Sequence, residues 1–215
     1  MSSKTSPKRA YNSSRRREVA RQTRQQIVEA ARSLFIARGY AGATLEAIAA
    51  QAGVAVETVY ASFGSKRAIL SALIDVSVVG DERSIPLLER EGPQAVAHAT
   101  DQRRQVALFA AGITEIMHRM APLFELMRAA AKTEPDIAEL QRSILDSRLE
   151  GMMFFVRALL QNGPLRDGLT PEAAGETVWA LTSGEVFTLL TATRGWSEAA
   201  YTRWLTETLT RLLLP

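Results

Sequence analysis

The segment Thr44–Phe63, TLEAIAAQAGVAVETVYASF, reads as two short helices joined by a tight turn. Thr44 suits a helix N-cap, where a hydroxyl meets an otherwise unpaired N–H, and Glu46 complements the positive end of the helix dipole. The predicted first helix is Leu45 to Ala52, and Gly53 supplies the residue tolerant of positive φ that the turn requires. Ala49 is small enough for two helices to cross steeply, while Ile48, Val54, Val59 and Phe63 are spaced to pin both to one core. The second helix, about Ala55 to Phe63, opens on Ala55, Val56, Glu57 and Thr58, which are small or polar as a helix entering a DNA major groove requires. An ordinary Ala- and Gly-rich helical hairpin fits the same residues, so the turn alone leaves both readings open.

Outward from this segment the pattern stays helical. Upstream, Ile27, Ala30, Ala31, Leu34 and Phe35 recur at steps of three and four on a helix from about Arg21 to Arg38, which Gly39 ends. Downstream, Ser65 caps a helix from Lys66 to Val79. Pro86 and Gly92-Pro93 punctuate a connecting segment. A helical pattern from Gln94 to Ala131 contains Pro122, where a break or kink is expected. Further helices are predicted from Pro135 to Leu160, from Thr170-Pro171 to Thr193, and from Ser197-Glu198 to Leu213. No alternating strand pattern occurs. The expectation is an all-α fold of about nine helices. Residues 1–20 are read as a disordered basic arm, 21–66 as a helix-turn-helix domain, 66–79 as the linking fourth helix, and 80–215 as a second helical domain.

Charge divides the chain the same way. The first 75 residues carry 12 Lys and Arg against 5 Asp and Glu, and the remaining 140 carry 14 against 18. A basic N-terminal third on a mildly acidic remainder points to one part that meets a polyanion, although a basic tail that merely aids solubility has the same signature. At 47% hydrophobic and 23% charged, with a mean hydropathy of −0.04, the 215 residues are ordinary for a globular protein. The absence of cysteine excludes disulfides and thiolate zinc sites and is compatible with a cytoplasmic location. No apolar run reaches the ~20 residues of a membrane span, and the N-terminus lacks the apolar stretch of a secretory signal.

The longer block Phe35–Leu70, FIARGYAGATLEAIAAQAGVAVETVYASFGSKRAIL, resembles the N-terminal domain of TetR-family transcriptional regulators. The resemblance rests on Phe35, Gly39-Tyr40, Thr44, Ile48-Ala49, Ala52-Gly53-Val54, Tyr60, Phe63 and Ser65-Lys66, in order and without a gap, and covers roughly residues 21–75. It implies that Thr44, Tyr60 and Lys66 bind phosphates flanking the groove, roles that a capping hydroxyl, a phenol and an ammonium at a helix N-terminus suit. Plain cap, packing residue and solvated charge are their alternative roles. Base readout falls to Val56, Glu57 and Thr58, with Ala55 and Ser62 beside them; Glu57 accepts from cytosine, repels phosphate or pairs with a neighbouring Arg. The chain departs from the family pattern at Ala55, often Ser, at Ser62, often His or Tyr, and at Arg67, often Glu. Arg15, Arg16 and Arg17 precede the first helix, where a basic arm either reaches along the DNA or stays solvated.

The remainder is expected to hold a small-molecule effector and a homodimer interface. Phe109, Ile113, Met117, Met120, Phe124, Met127, Met152, Phe155 and Trp179 form a Met- and aromatic-rich set that suits an apolar pocket, though for any one of them simple core packing competes. Ala180, Gly184, Phe187 and Thr191, with Tyr201, Trp204, Leu205 and Leu209, recur at helical spacing, and the resemblance implies that the two C-terminal helices form a four-helix interface with a second copy. The predicted function is a regulator of double-stranded DNA, typically a repressor released from a palindromic operator by its ligand, with no membrane partner. An architectural DNA-binding protein without a ligand is the alternative. An enzyme is disfavoured: HExxH, GxGxxG, P-loop and GxSxG patterns are absent, and His98 and His118 lack ligand-like spacing. No catalytic residue, metal or cofactor is expected.

Overall fold

The computed structural model describes residues 8–81, 83 and 85–215, with side chains from Arg15 onward. Those residues are helical, with no strand among them. The chain divides into two compact units at Leu73/Ile74, within the fourth helix.

The first unit holds α1 (Lys8–Gly42), α2 (Leu45–Ala52), α3 (Val56–Phe63) and the start of α4 (Lys66–Val79). α1 begins at Lys8, inside the segment 1–20 read as an arm, and residues 1–7 lie outside the described residues. Unbranched Arg side chains favour helix, and the Glu18 carboxylate accepts from Arg21 at 2.8 Å and from Gln22 at 3.2 Å, one turn on. Gly39, at φ 71° and ψ 173°, interrupts the helical backbone of α1 where a stop was expected. Ile27, Ala31, Phe35, Ile48, Val59, Ile69 and Leu70 make the buried core, and Tyr40 stacks on Phe35 at 5.6 Å. Thr44 caps α2 by accepting from the Ala47 N–H at 3.2 Å. Gly53 adopts the left-handed conformation, φ 69° and ψ 31°, so α2 and α3 meet in one tight turn.

The second unit is built around α6 (Gln102–Ala130), which packs on α5 (Glu91–His98), α7 (Pro135–Leu160), α9 (Gly184–Thr188) and α10 (Glu198–Leu213). Two expectations change here. The long helix predicted from Gln94 is divided at Ala99, where Asp101 caps α6 by accepting from the Arg104 N–H at 2.7 Å. Pro122, in contrast, does not interrupt α6. It lies on the exposed face, so the carbonyl one turn back at His118 that loses its donor is open to water. The helix predicted over 171–193 is split into α8 (Pro171–Leu181), α9 and a π-helical turn (Leu189–Thr193). Thr182, whose hydroxyl donates to the Val178 carbonyl at 2.8 Å, stands at the end of α8, and Ser183 caps α9.

Ala55 has N-cap dihedrals, φ −70° and ψ 147°, but no side-chain acceptor. Ala55→Ser supplies one to the orphan N–H groups of α3 and is expected to stabilise the first unit by about 1 kcal/mol, measured by urea unfolding.

Candidate functional site

In the first unit, α3 is turned so that Val59 is buried at 1% while Ala55, Glu57 and Tyr60 face solvent, Tyr60 at 50%. Val56, Thr58 and Ser62 are half-buried at the edges of that face. Thr44 is exposed, and since its oxygen serves the cap as acceptor, its O–H is left to donate outward. Lys66 is tied down: its Nζ donates to the Tyr40 carbonyl at 2.7 Å and sits 4.2 Å over the Tyr40 ring. Arg15, Arg16 and Arg17 are exposed along α1.

Arg24 was not anticipated. Its guanidinium donates to the Ser62 carbonyl at 2.6 Å and lies 3.9 Å over the Phe63 ring, so α1 clamps the C-terminal turn of α3 with a positive charge at the negative end of its dipole. A lone Arg between Thr23 and Gln25 carries no sequence signal for this role.

In the second unit a cleft of about 400 Å³ lies among the C-terminal end of α4, the turn Leu87–Glu89, α5, α6 and α7, within the size range of small-molecule sites. Of the predicted pocket residues it uses Phe109, Ile113, Met152 and Phe155, with Phe109 and Phe155 stacked at 3.9 Å. Met117, Met120 and Met127 are fully buried core, and Phe124, also buried, packs on Gly184. Trp179 lies instead between α7 and α8, donating from Nε1 to the Leu145 carbonyl at 3.2 Å under the Arg148 guanidinium. Burial pushes Arg148 down to about 10 and Tyr201 up to about 12, so at neutral pH the first stays charged and the second protonated.

Polar groups ring the cleft. Arg90, 9% exposed, forms a two-point ion pair with Asp81 at 2.8 and 2.9 Å, which holds the Asp81 carboxyl far below the usual carboxylate range. Arg119 donates to the Ser77 and Val78 carbonyls at 2.7 and 3.3 Å. His118 and Arg128 point elsewhere, to Glu198 and Glu185.

The predicted interface residues separate into two groups. Phe187, Tyr201, Leu205 and Leu209 are buried within the chain, Phe187 and Tyr201 edge to face at 5.0 Å, and Gly184 lets Phe124 approach. The stripe expected on the last helix is present, but it is the side of α10 facing α6. Ala180 is exposed, Thr191 and Trp204 are half-buried, and Leu189 and Trp196 are exposed at 55% and 36%.

A family model described as "Bacterial regulatory proteins, tetR family" matches residues 27–73. Residues 27–73 are a TetR-family domain. The HTH-type transcriptional regulator TtgR of Pseudomonas putida is 44% identical over 61 residues, 28% of this chain and 29% of that protein. The chain therefore matches less than a third of that relative's length. Over the whole chain the likeness is one of fold. The fatty acid degradation regulator FadR from Bacillus halodurans aligns with a TM-score of 0.69 at 18% identity, covering 96% of both chains. The SmeT–triclosan complex aligns at 0.65 and 22%, covering 90% of this chain and 92% of that one.

Within the TetR-family domain, Arg24→Ala is expected to lower the unfolding free energy by about 1 kcal/mol and raise amide exchange through residues 60–64, measured by hydrogen–deuterium exchange.

Proposed function

We propose that the chain is a homodimeric, sequence-specific DNA-binding transcriptional regulator, a repressor that leaves a palindromic operator when a small apolar ligand occupies the cleft of its second unit. The observation that carries this reading is the orientation of α3 inside a TetR-family domain: Val59 is sunk in the core while the leading end and Tyr60 face outward. A helix so placed enters a major groove with Ala55, Val56, Glu57, Thr58 and Ser62 toward the bases, and Thr44, Tyr60 and Lys66 toward flanking phosphates. Arg15, Arg16 and Arg17 extend the positive surface along α1. The Phe109–Phe155 wall and the complex of the similarly folded SmeT with triclosan favour an apolar effector. Leu189, Trp196, Trp204, Thr191 and Ala180 are the residues through which a second copy would dock. Such a protein works in the cytoplasm, and none of these roles is catalytic.

Selection of duplexes from a randomised library tests the reading. The expected product is a palindrome bound about 10³-fold more tightly than random DNA at equal salt; equal affinity for both would mark an architectural binder instead. On that palindrome Tyr60→Phe removes one phosphate hydrogen bond and weakens binding about five- to tenfold. Replacing Arg15, Arg16 and Arg17 together by Ala lowers the salt slope by about 0.9 for each arginine that neutralises a phosphate, read from titrations across a salt series. Leu189→Glu is expected to yield monomers by sedimentation and to reduce operator affinity at least tenfold, since one recognition helix reads only a half-site.

A further inference from the structure

The cleft of the second unit carries its charges at two depths. Arg83, Glu91 and Glu115 are exposed at the rim, whereas Asp81 and Arg119 are half-buried and Arg90 is 9% exposed. Water and salt screen the rim charges, and the sheltered ones are screened much less. Asp81 is matched by Arg90, with Nη2 to Oδ1 at 2.8 Å and Nη1 to Oδ2 at 2.9 Å. The sheltered set therefore holds one positive charge in excess, and it lies on Arg119.

Arg119 is held in position. Its Nε donates to the Ser77 carbonyl at 2.7 Å and its Nη2 to the Val78 carbonyl at 3.3 Å, while a Cβ at Gly80 would lie 3.4 Å from its Cζ. These bonds use two of the five N–H groups of a guanidinium. Among the described residues no carboxylate pairs with Arg119, and its Nη1 meets no acceptor. A planar fork with donors to spare matches a carboxylate in two-point geometry. Beside this charge the walls are apolar. Phe109 and Ile116 share its face of α6, and Phe109 stacks on Phe155 of α7 at 3.9 Å. There is also room: a Cβ added at Gly112 of α6 or Gly151 of α7 would meet nothing within 4 Å, although both line the cleft. Each glycine costs its helix about 1 kcal/mol relative to Ala, with no neighbouring side chain that requires it.

We propose that the guest of the cleft is an apolar monocarboxylate, its flat body against Phe109 and Phe155 and its carboxylate paired with Arg119. The anion supplies the counter-charge that the chain itself leaves out, to a guanidinium already oriented and partly stripped of water, so little ordering remains for binding to pay. One negative charge suits the site and two do not, because Glu115, one turn back on the same face of α6, and Glu91 at the rim oppose the second. That the cleft holds an effector rests on the reading above; that its guest is a monoanion rests on Arg119.

Titration calorimetry of the full chain with 2-naphthoate, 2-naphthamide and 2-naphthyl phosphate tests this, since the first two share a shape and differ in charge. At neutral pH the naphthoate is expected to bind at least about tenfold more tightly than the amide, the yield of a charge-assisted pair. R119Q is expected to lower naphthoate affinity at least about tenfold and to change amide affinity less than about twofold. Gly112→Leu, which fills the cleft and leaves Arg119 intact, is expected to weaken both at least about tenfold. Equal affinity for acid and amide, no binding of either, tighter binding of the phosphate, or a preference for the acid that survives in R119Q overturns the proposal. Should R119Q fail to fold by circular dichroism, the acid preference of the unaltered chain and its loss in Gly112→Leu decide. If amide and acid bind equally and both release the selected duplex, the effector reading stands and the monocarboxylate falls. If naphthoate binds through Arg119 and duplex affinity is unchanged, the carboxylate site stands and the effector-release reading falls.

Discussion

Val59 enters the core of the first unit at 1% exposure, and at about 100° per residue this turns Glu57, two positions back, to the opposite side of α3. Nothing else in the unit determines so much. The αL bend at Gly53 brings α3 back onto α2, Ile48 and Ala49 receive it, and Arg24 holds its far end through the Ser62 carbonyl. Burying a side chain of this size is worth about 1.5–3 kcal/mol, and here the energy also serves to aim a surface. The outward face of α3 is fixed because its inward face has only one place to go.

The local signals in the first unit were legible because each rests on short-range chemistry. A hydroxyl before an apolar run, a glycine that must accept positive φ, and small residues where backbones meet are all visible within a few positions. Thr44, Gly53, Ser65, Thr170 and Ser197 therefore mark in the structure the boundaries they mark in the sequence. The helix reaching back to Lys8 was not legible, since a stretch rich in Ser and Arg lacks an apolar stripe. Pro122 misled for a related reason: the rule that proline interrupts a helix assumes that the freed carbonyl is costly, and on a solvent-facing side water answers it.

In the second unit, composition located the chemistry but not its arrangement. Met117, Met120, Met127 and Phe109 belong to one helix and look alike in sequence, yet three are sealed against neighbouring helices and one lines a cleft. Which side of α6 stays open depends on where α5 lies, and the start of α5 is tied by polar contacts such as Arg90 with Asp81. Periodicity has no access to those. The same limit applies to α10, whose regular stripe was visible but not whether it meets its own chain or another.

The tether between Lys66 and Tyr40 bears on rates as well as on contacts. A free lysine surrenders roughly 1.5–2 kcal/mol of rotamer entropy when something immobilises it. Here that ordering is complete before any anion arrives, with the ring and the carbonyl of Tyr40 as the mould. A charge already at rest favours rapid capture on first encounter, and it also forbids adaptation. An arginine at this position, with a planar fork and longer reach, would not fit the mould, so the conservative exchange of one cation for the other is not conservative at this corner of the molecule.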